Sequence, residues 1–123
     1  MKIKKFEEII GYSFKNQKLI RVALTHSSYA NERGFGECNE RLEFLGDSVL
    51  GFATAAYLYK NFKNPEGDLA KIKSAVVSEK ILAQIAIKFN IDKLLVLGKG
   101  EKLSGGNKKP ALLADCMEAI IGA

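Results

Sequence analysis

Apolar residues recur at helical spacing along almost the whole chain, and only one short stretch reads equally well as a strand. A short helix is predicted over residues 3–10, stopped at Gly11. Asn16 is a suitable N-cap for a second helix, in which Leu19, Ile20, Ala23 and Leu24 share one face. Thr25-His-Ser-Ser-Tyr-Ala then leads into a polar loop, 31–39, broken by Gly34 and Gly36. The longest element runs from Asn39 to Tyr59 and frays over 61–64, ahead of Pro65. Asp68 caps a helix beginning at Leu69 and reaching Val77. Ser78 caps another, whose Ile81, Leu82, Ile85, Ala86 and Phe89 form a core stripe. Residues 91–97 read as a helical turn or two, or a brief strand. Residues 98–109, rich in Gly and Lys, read as a mobile basic loop, and Pro110 opens a last helix that runs to Ala123. The pattern is all-α.

Two of these helices carry acids where apolar residues are expected. In the long one, Glu40, Glu43 and Asp47 stand at offsets of three and four, which stacks them on one face. Beyond its first residues this helix is almost wholly apolar and is therefore expected to be buried. Like charges at that spacing repel, and buried carboxylates need a cation or a hydrogen-bond network to compensate them. A solvated acidic edge accounts for Glu40 near the helix start. It fits Glu43 and Asp47 poorly, because Leu42, Phe44, Leu45, Val49 and Leu50 surround them. Asp115 and Glu118 repeat the arrangement at i and i+3 in the last helix.

Two helices with such pairs can bring four oxygen donors to a shared point. Oxygen-only ligands suit Mg²⁺ or Mn²⁺, hard ions that keep waters and bind phosphate oxygens. Such sites hydrolyse phosphodiesters, best with two ions roughly 4 Å apart. A di-iron carboxylate bundle needs Glu-x-x-His on two helices, and the single histidine, His26, lies in no such motif. His26 reads as a hydrogen-bonded packing residue before it reads as a general base. Ser27 lacks a Gly-x-Ser-x-Gly turn, and residues 98–109 lack the spacing of a phosphate-binding loop.

Composition narrows the setting. At 123 residues, with 47% hydrophobic and 27% charged, the chain fits one ordinary globular domain. No apolar run is long enough for a membrane span, and the Lys-rich start leads into Phe-Glu-Glu, unlike a signal peptide. Cys38 and Cys116 have no metal-binding spacing and read as free thiols, so a cytoplasmic protein is expected. The net charge of +5 points toward a polyanionic partner, although many basic proteins bind none.

Together these blocks resemble a known family. Asn39-Glu-Arg-Leu-Glu-Phe-Leu-Gly-Asp-Ser-Val resembles the signature stretch of the ribonuclease III endonuclease domain. Thr25-His-Ser-Ser-Tyr precedes it. Glu66-Gly-Asp-Leu-Ala-Lys-Ile-Lys-Ser-Ala-Val-Val-Ser and Leu113-Ala-Asp-Cys-Met-Glu-Ala-Ile-Ile-Gly-Ala follow in the family's order. The resemblance implies an all-α catalytic domain over residues 1–123 and a two-fold homodimer with both active sites in one valley. By position, Glu43, Asp47, Asp115 and Glu118 match the metal-site carboxylates, with Asp47 and Glu118 most closely tied to catalysis. Glu40 and Glu66 match accessory acids. Phe44, otherwise an ordinary core residue, matches an aromatic that plugs into a socket on the partner subunit.

The implied activity is Mg²⁺-dependent cleavage of both strands of double-stranded RNA, with Mn²⁺ able to substitute. It leaves 5′-phosphates and short 3′ overhangs and serves ribosomal and messenger RNA processing. A-form RNA is recognised by shape, phosphates and 2′-hydroxyls, which makes Arg41, Lys71, Lys73, Lys108 and Lys109 candidate contacts. A catalytically silent dimeric relative that binds RNA or protein is the alternative, against which the presence of all four acids counts. A small-nucleotide phosphohydrolase would share the metal chemistry and need no dimer. Ile120, Ile121 and Ala123 predict that the helical pattern continues, and by the resemblance bacterial members normally go on into more helix and a double-stranded-RNA-binding domain.

Overall fold

The computed structural model describes residues 2–34 and 36–123; Met1, and Phe35 within the loop expected over 31–39, lie outside them. The described residues form α1 (Lys2–Ile10), α2 (Gln17–Ala23), α3 (Ser27–Arg33), α4 (Glu40–Asn61), α5 (Glu66–Val76), α6 (Glu79–Lys88), α7 (Lys99–Leu103) and α8 (Pro110–Gly122). Single 3₁₀ turns at Ile91–Lys93 and Gly106–Lys108 complete the chain. The only extended pairing among the described residues is an isolated parallel bridge between Thr25 and Val96. No helix among them is long and apolar enough to cross a membrane.

Local chemistry fixes most boundaries. The Asn16 side chain accepts from the Lys18 amide at 3.0 Å, and the Ser78 hydroxyl from the Ile81 amide, each satisfying a first-turn donor. Three segments differ from the sequence reading. Helix α3 occupies residues that lack apolar periodicity; His26 caps it by accepting from the Ser28 amide at 3.1 Å, and Gly34, at φ +76°, ends it in a conformation that suits glycine. Helix α5 starts at Glu66 behind Pro65, so Asp68 lies inside its first turn, where a negative charge suits the helix dipole. Residues 98–109 are not an open loop. The Ser28 hydroxyl accepts from the Gly98 amide at 2.9 Å, the Glu32 carboxylate accepts from the Lys99 amide at 2.9 Å, and Lys109 pairs with Glu101. These contacts hold α7 and the 3₁₀ turn against α3 and the start of α8.

The core surrounds α8. Leu113, Ala114, Cys116, Met117, Ala119 and Ile120 are buried there against α2, α4 and α6, with Phe6, Phe14, Ile20 and Ile91 closing the ends. Burial pushes the Cys116 thiol up to about 12, which makes it inert, and neither cysteine is in a disulfide. The expectation that α4 is buried is overturned. Only Gly46 and Leu58 of its residues are fully enclosed, while Phe44, Phe52 and Tyr59 are 79%, 76% and 83% exposed. Helix α4 is apolar around most of its circumference, and a single chain covers little of it beyond the strips that face α8 and α5.

Candidate metal centre

Helices α4 and α8 cross in backbone contact, and two glycines allow it. A Cβ at Gly46 would overlap the Glu118 carbonyl, and a Cβ at Gly122 would overlap that of Leu42. Gly46 lies between Glu43 and Asp47 in sequence, and Gly122 lies one turn beyond Glu118. The closest approach of the two helices is therefore where their acids are. A side chain at either glycine would spread the carboxyls apart.

The crossing brings the four acids together in two pairs, each with one member from each helix. Glu43 is within hydrogen-bond reach of Asp115, and Asp47 of Glu118. Burial pushes the Glu43 carboxyl up to about 7, and Asp115, then Glu40 and Asp47, add to the shift by charge. Glu118 also rises to about 7, first through burial and then through its hydrogen bond to Asp47 and the charges of Asp47, Glu43 and Asp115. Asp115 is raised by burial and by Glu79, against the hydrogen bond from Glu43 and the field of His26. The pairing has a consistent reading: protonated Glu43 donates to Asp115, and protonated Glu118 donates to Asp47.

This donor set fits a hard divalent cation. It is oxygen-only, it is anchored on two helices in contact, and none of the ion pairs among the described residues brings a lysine or arginine to it. Such an ion would take the place of the protons, since ligands must be deprotonated and the repulsion within each pair then needs a cation to offset it. The expected convergence on a single point is met only two by two. Among the described residues, no three of the His, Cys, Asp and Glu groups lie close enough together to hold an ion as placed.

The family described as Ribonuclease-III-like matches residues 16–123. The chain belongs to the ribonuclease III family. It is 54% identical over 120 residues to ribonuclease 3 of Treponema denticola, covering 96% of this chain and 49% of that protein. It is 50% identical over 125 residues to ribonuclease 3 of Geobacillus thermodenitrificans, covering 97% and 51%. It thus spans about half the length of these curated relatives. Two structures of the nuclease domain of ribonuclease III from Campylobacter jejuni, at 43% identity, superpose with TM-scores of 0.91 and 0.89. They cover 98% of this chain and 82% and 80% of those chains; the first is described by structural flexibility in a region involved in dimer formation.

The other residues singled out by the ribonuclease III resemblance are placed unevenly. Glu40 is exposed, accepts from the Cys38 thiol and raises Glu43 by charge. Glu66 lies at the start of α5 in a groove with Tyr59, Phe62 and Leu69, and it is not among the groups that shift Glu43, Asp115 or Glu118. Phe44 points into solvent beside a groove lined by Leu19, Val22, Leu42 and Leu45. Lys108 pairs with buried Asp92 and Lys109 with Glu101, so both have structural partners. Arg41 and Lys71 are exposed; Lys73 is half-buried.

His26 is a structural node, as the sequence reading favoured. Its Nδ1 accepts from the Ser28 amide and lies 2.8 Å from the Ser28 hydroxyl, while its own amide donates to Val96. Sequence reasoning missed Gly46, Gly122, Ser28 and Glu32. For the glycines a signal existed, a Gly inside an apolar helical run beside a carboxylate. For Ser28 and Glu32 there was none, because their partners lie about 70 residues away in sequence.

Proposed function

We propose that this chain is the catalytic part of a Mg²⁺-dependent endoribonuclease that cuts both strands of double-stranded RNA as a two-fold homodimer. The observation that carries the proposal is the pair of carboxyl couples, Glu43 with Asp115 and Asp47 with Glu118, held across the Gly46–Gly122 crossing. Family membership supplies the reaction class. The four acids would hold the ion, with Asp47 and Glu118 nearest the chemistry. When bound, Mg²⁺ supplies an activated water and stabilises charge on the phosphate oxygens. The chain's own part is to release the protons of Glu43 and Glu118, at about 7, and to fix four carboxylates through backbone contact of their helices. Hydrolysis breaks the bond between phosphorus and the 3′ oxygen, leaving a 5′-phosphate and a 3′-hydroxyl. Mn²⁺ would substitute for Mg²⁺.

The exposed face of α4 supports the dimer. Phe44, Leu45, Val49 and Phe52 are at least 42% exposed and lie on one continuous helix, the kind of patch that marks an interface. In the proposed dimer, Phe44 of one copy enters the groove by Leu19 and Val22 of the other. An isologous pair presents equivalent sites to two antiparallel RNA strands, so both can be cut with a short stagger, and the 3′ polarity of the overhangs is what the family resemblance implies. Glu66 would join the valley from this assembly. A cytoplasmic role in ribosomal and messenger RNA processing follows from the family resemblance.

The test incubates the full chain with an end-labelled RNA duplex, with and without Mg²⁺, beside Glu118→Gln. Staggered cleavage that requires Mg²⁺ and disappears in the variant is the expected result. Binding without cleavage in Mg²⁺ or Mn²⁺ would overturn the proposal in favour of a silent relative.

A further inference from the structure

Lysines are spread over this surface, and most make no case for a role. Lys73 differs in two respects. It lies in the last turn of α5 and is half-buried, whereas Lys71, on the same helix, is exposed. Its side chain crosses to α4, where Cε and Nζ each come within 3.7 Å of the point a Cβ would occupy at Gly51. Like most of the lysines, it has no carboxylate among the described residues within ion-pair distance.

Gly51 lies four residues after Asp47, so both belong to the same face of α4, one turn apart. The seat of the ammonium is therefore the helix face that carries the acids, just past their end. A charge taken partly out of water without an anion is unfavourable, and one seated a helical turn beyond Asp47 serves to draw in a polyanion that the acids would repel. A lysine is a point-charge binder of phosphate oxygens, suited to a backbone contact that reads no sequence.

Resting on the proposed nuclease reading, we infer that Lys73 contacts the phosphodiester group adjacent to the scissile one on the strand being cut, and so sets the register of that strand over the acids. The bland reading is a lysine that packs its stem on Gly51 and complements the C-terminus of α5.

Lys73→Met keeps the stem and removes the charge, and Lys73→Arg keeps the charge. Cleavage is measured with the full chain and an RNA duplex in Mg²⁺ under single turnover. Duplex binding is measured as a function of salt in a Glu118→Gln background, and the oligomeric state by sedimentation. The expected results are a ten- to fiftyfold loss of cleavage rate for Lys73→Met and a salt slope of binding smaller by about one. Lys73→Arg should stay within about threefold of wild type, with the melting temperature and sedimentation of both variants unchanged. Should wild type fail to cleave, the nuclease reading falls, while the salt slope still decides whether Lys73 holds a phosphate. Wild-type rate and slope in Lys73→Met would overturn the inference. So would a loss that follows unfolding, or one that follows dissociation of the dimer.

Discussion

Helices α4 and α8 are both strongly apolar, each contributes one acid to both carboxyl pairs, and they touch along their glycines, yet the fold treats them in opposite ways. Helix α8 has six of its residues buried and is enclosed by α2, α4 and α6. Helix α4, the longer, has two. Apolarity shows that a helix needs cover; it does not show whether the cover comes from the same chain. The acids lie on the one strip where the exposed helix meets the enclosed one. The chain's interior thereby fixes their position, and the outer face of α4 is left uncovered.

The largest effect that would break this picture concerns the acids themselves. Asp47→Asn should lower cleavage about a thousandfold or more, the several kcal/mol that metal-centred charge stabilisation supplies, with circular dichroism unchanged. An unfolded variant would instead make the acid structural. Next in size is the crossing. Gly46→Ala puts a methyl group into the Glu118 carbonyl and should destabilise the fold by about 3 kcal/mol in chemical denaturation, or push the helices apart. A variant as stable and active as wild type would show that the contact is not needed.

The contrast between the helices is sharpened by paired truncations. Leu113→Ala, at a fully buried position of α8, should cost about 3 kcal/mol of stability. Phe44→Ala should leave the fold intact and weaken dimerisation about tenfold to a hundredfold by sedimentation. An unchanged sedimentation profile would remove Phe44 from the interface.

The smallest effect concerns protons. Glu43 and Glu118 have folded-state values of about 7 against an ordinary 4.5, so between those limits the metal-free folded chain binds more protons than the unfolded one. Their contribution to stability is full below about pH 4.5 and is lost as pH rises through 7. The double variant Glu43→Gln/Glu118→Gln should match wild type near pH 4.5. By pH 8 it should be more stable by about 1–2 kcal/mol, a figure discounted for the solvent that reaches both groups. A constant difference across pH would contradict the shifts.

Much of this was legible in the sequence. The all-α class, the amphipathic α6, the caps at Asn16 and Ser78, and the two acid-bearing helices follow from periodicity and capping chemistry, which are local. What escaped depends on distant partners. Helix α3 is polar and is held by the His26 cap, and the order of residues 98–109 comes from Ser28 and Glu32, far off in the chain. The exposure of α4 escaped because its residues alone cannot distinguish a core from an interface. The pairing of the acids escaped because it is set by which backbone atoms touch at Gly46 and Gly122.

The central claim is that the paired carboxyls of α4 and α8 are a Mg²⁺ site. Calorimetric titration of the full chain with Mg²⁺ tests it directly, in two buffers of different ionisation enthalpy near pH 7, beside Glu118→Gln. The account predicts binding with proton release, weaker binding as pH falls below 7, and an affinity reduced at least about tenfold in the variant. Binding that releases no protons and is equally tight in Glu118→Gln, or no binding at millimolar Mg²⁺, would contradict it.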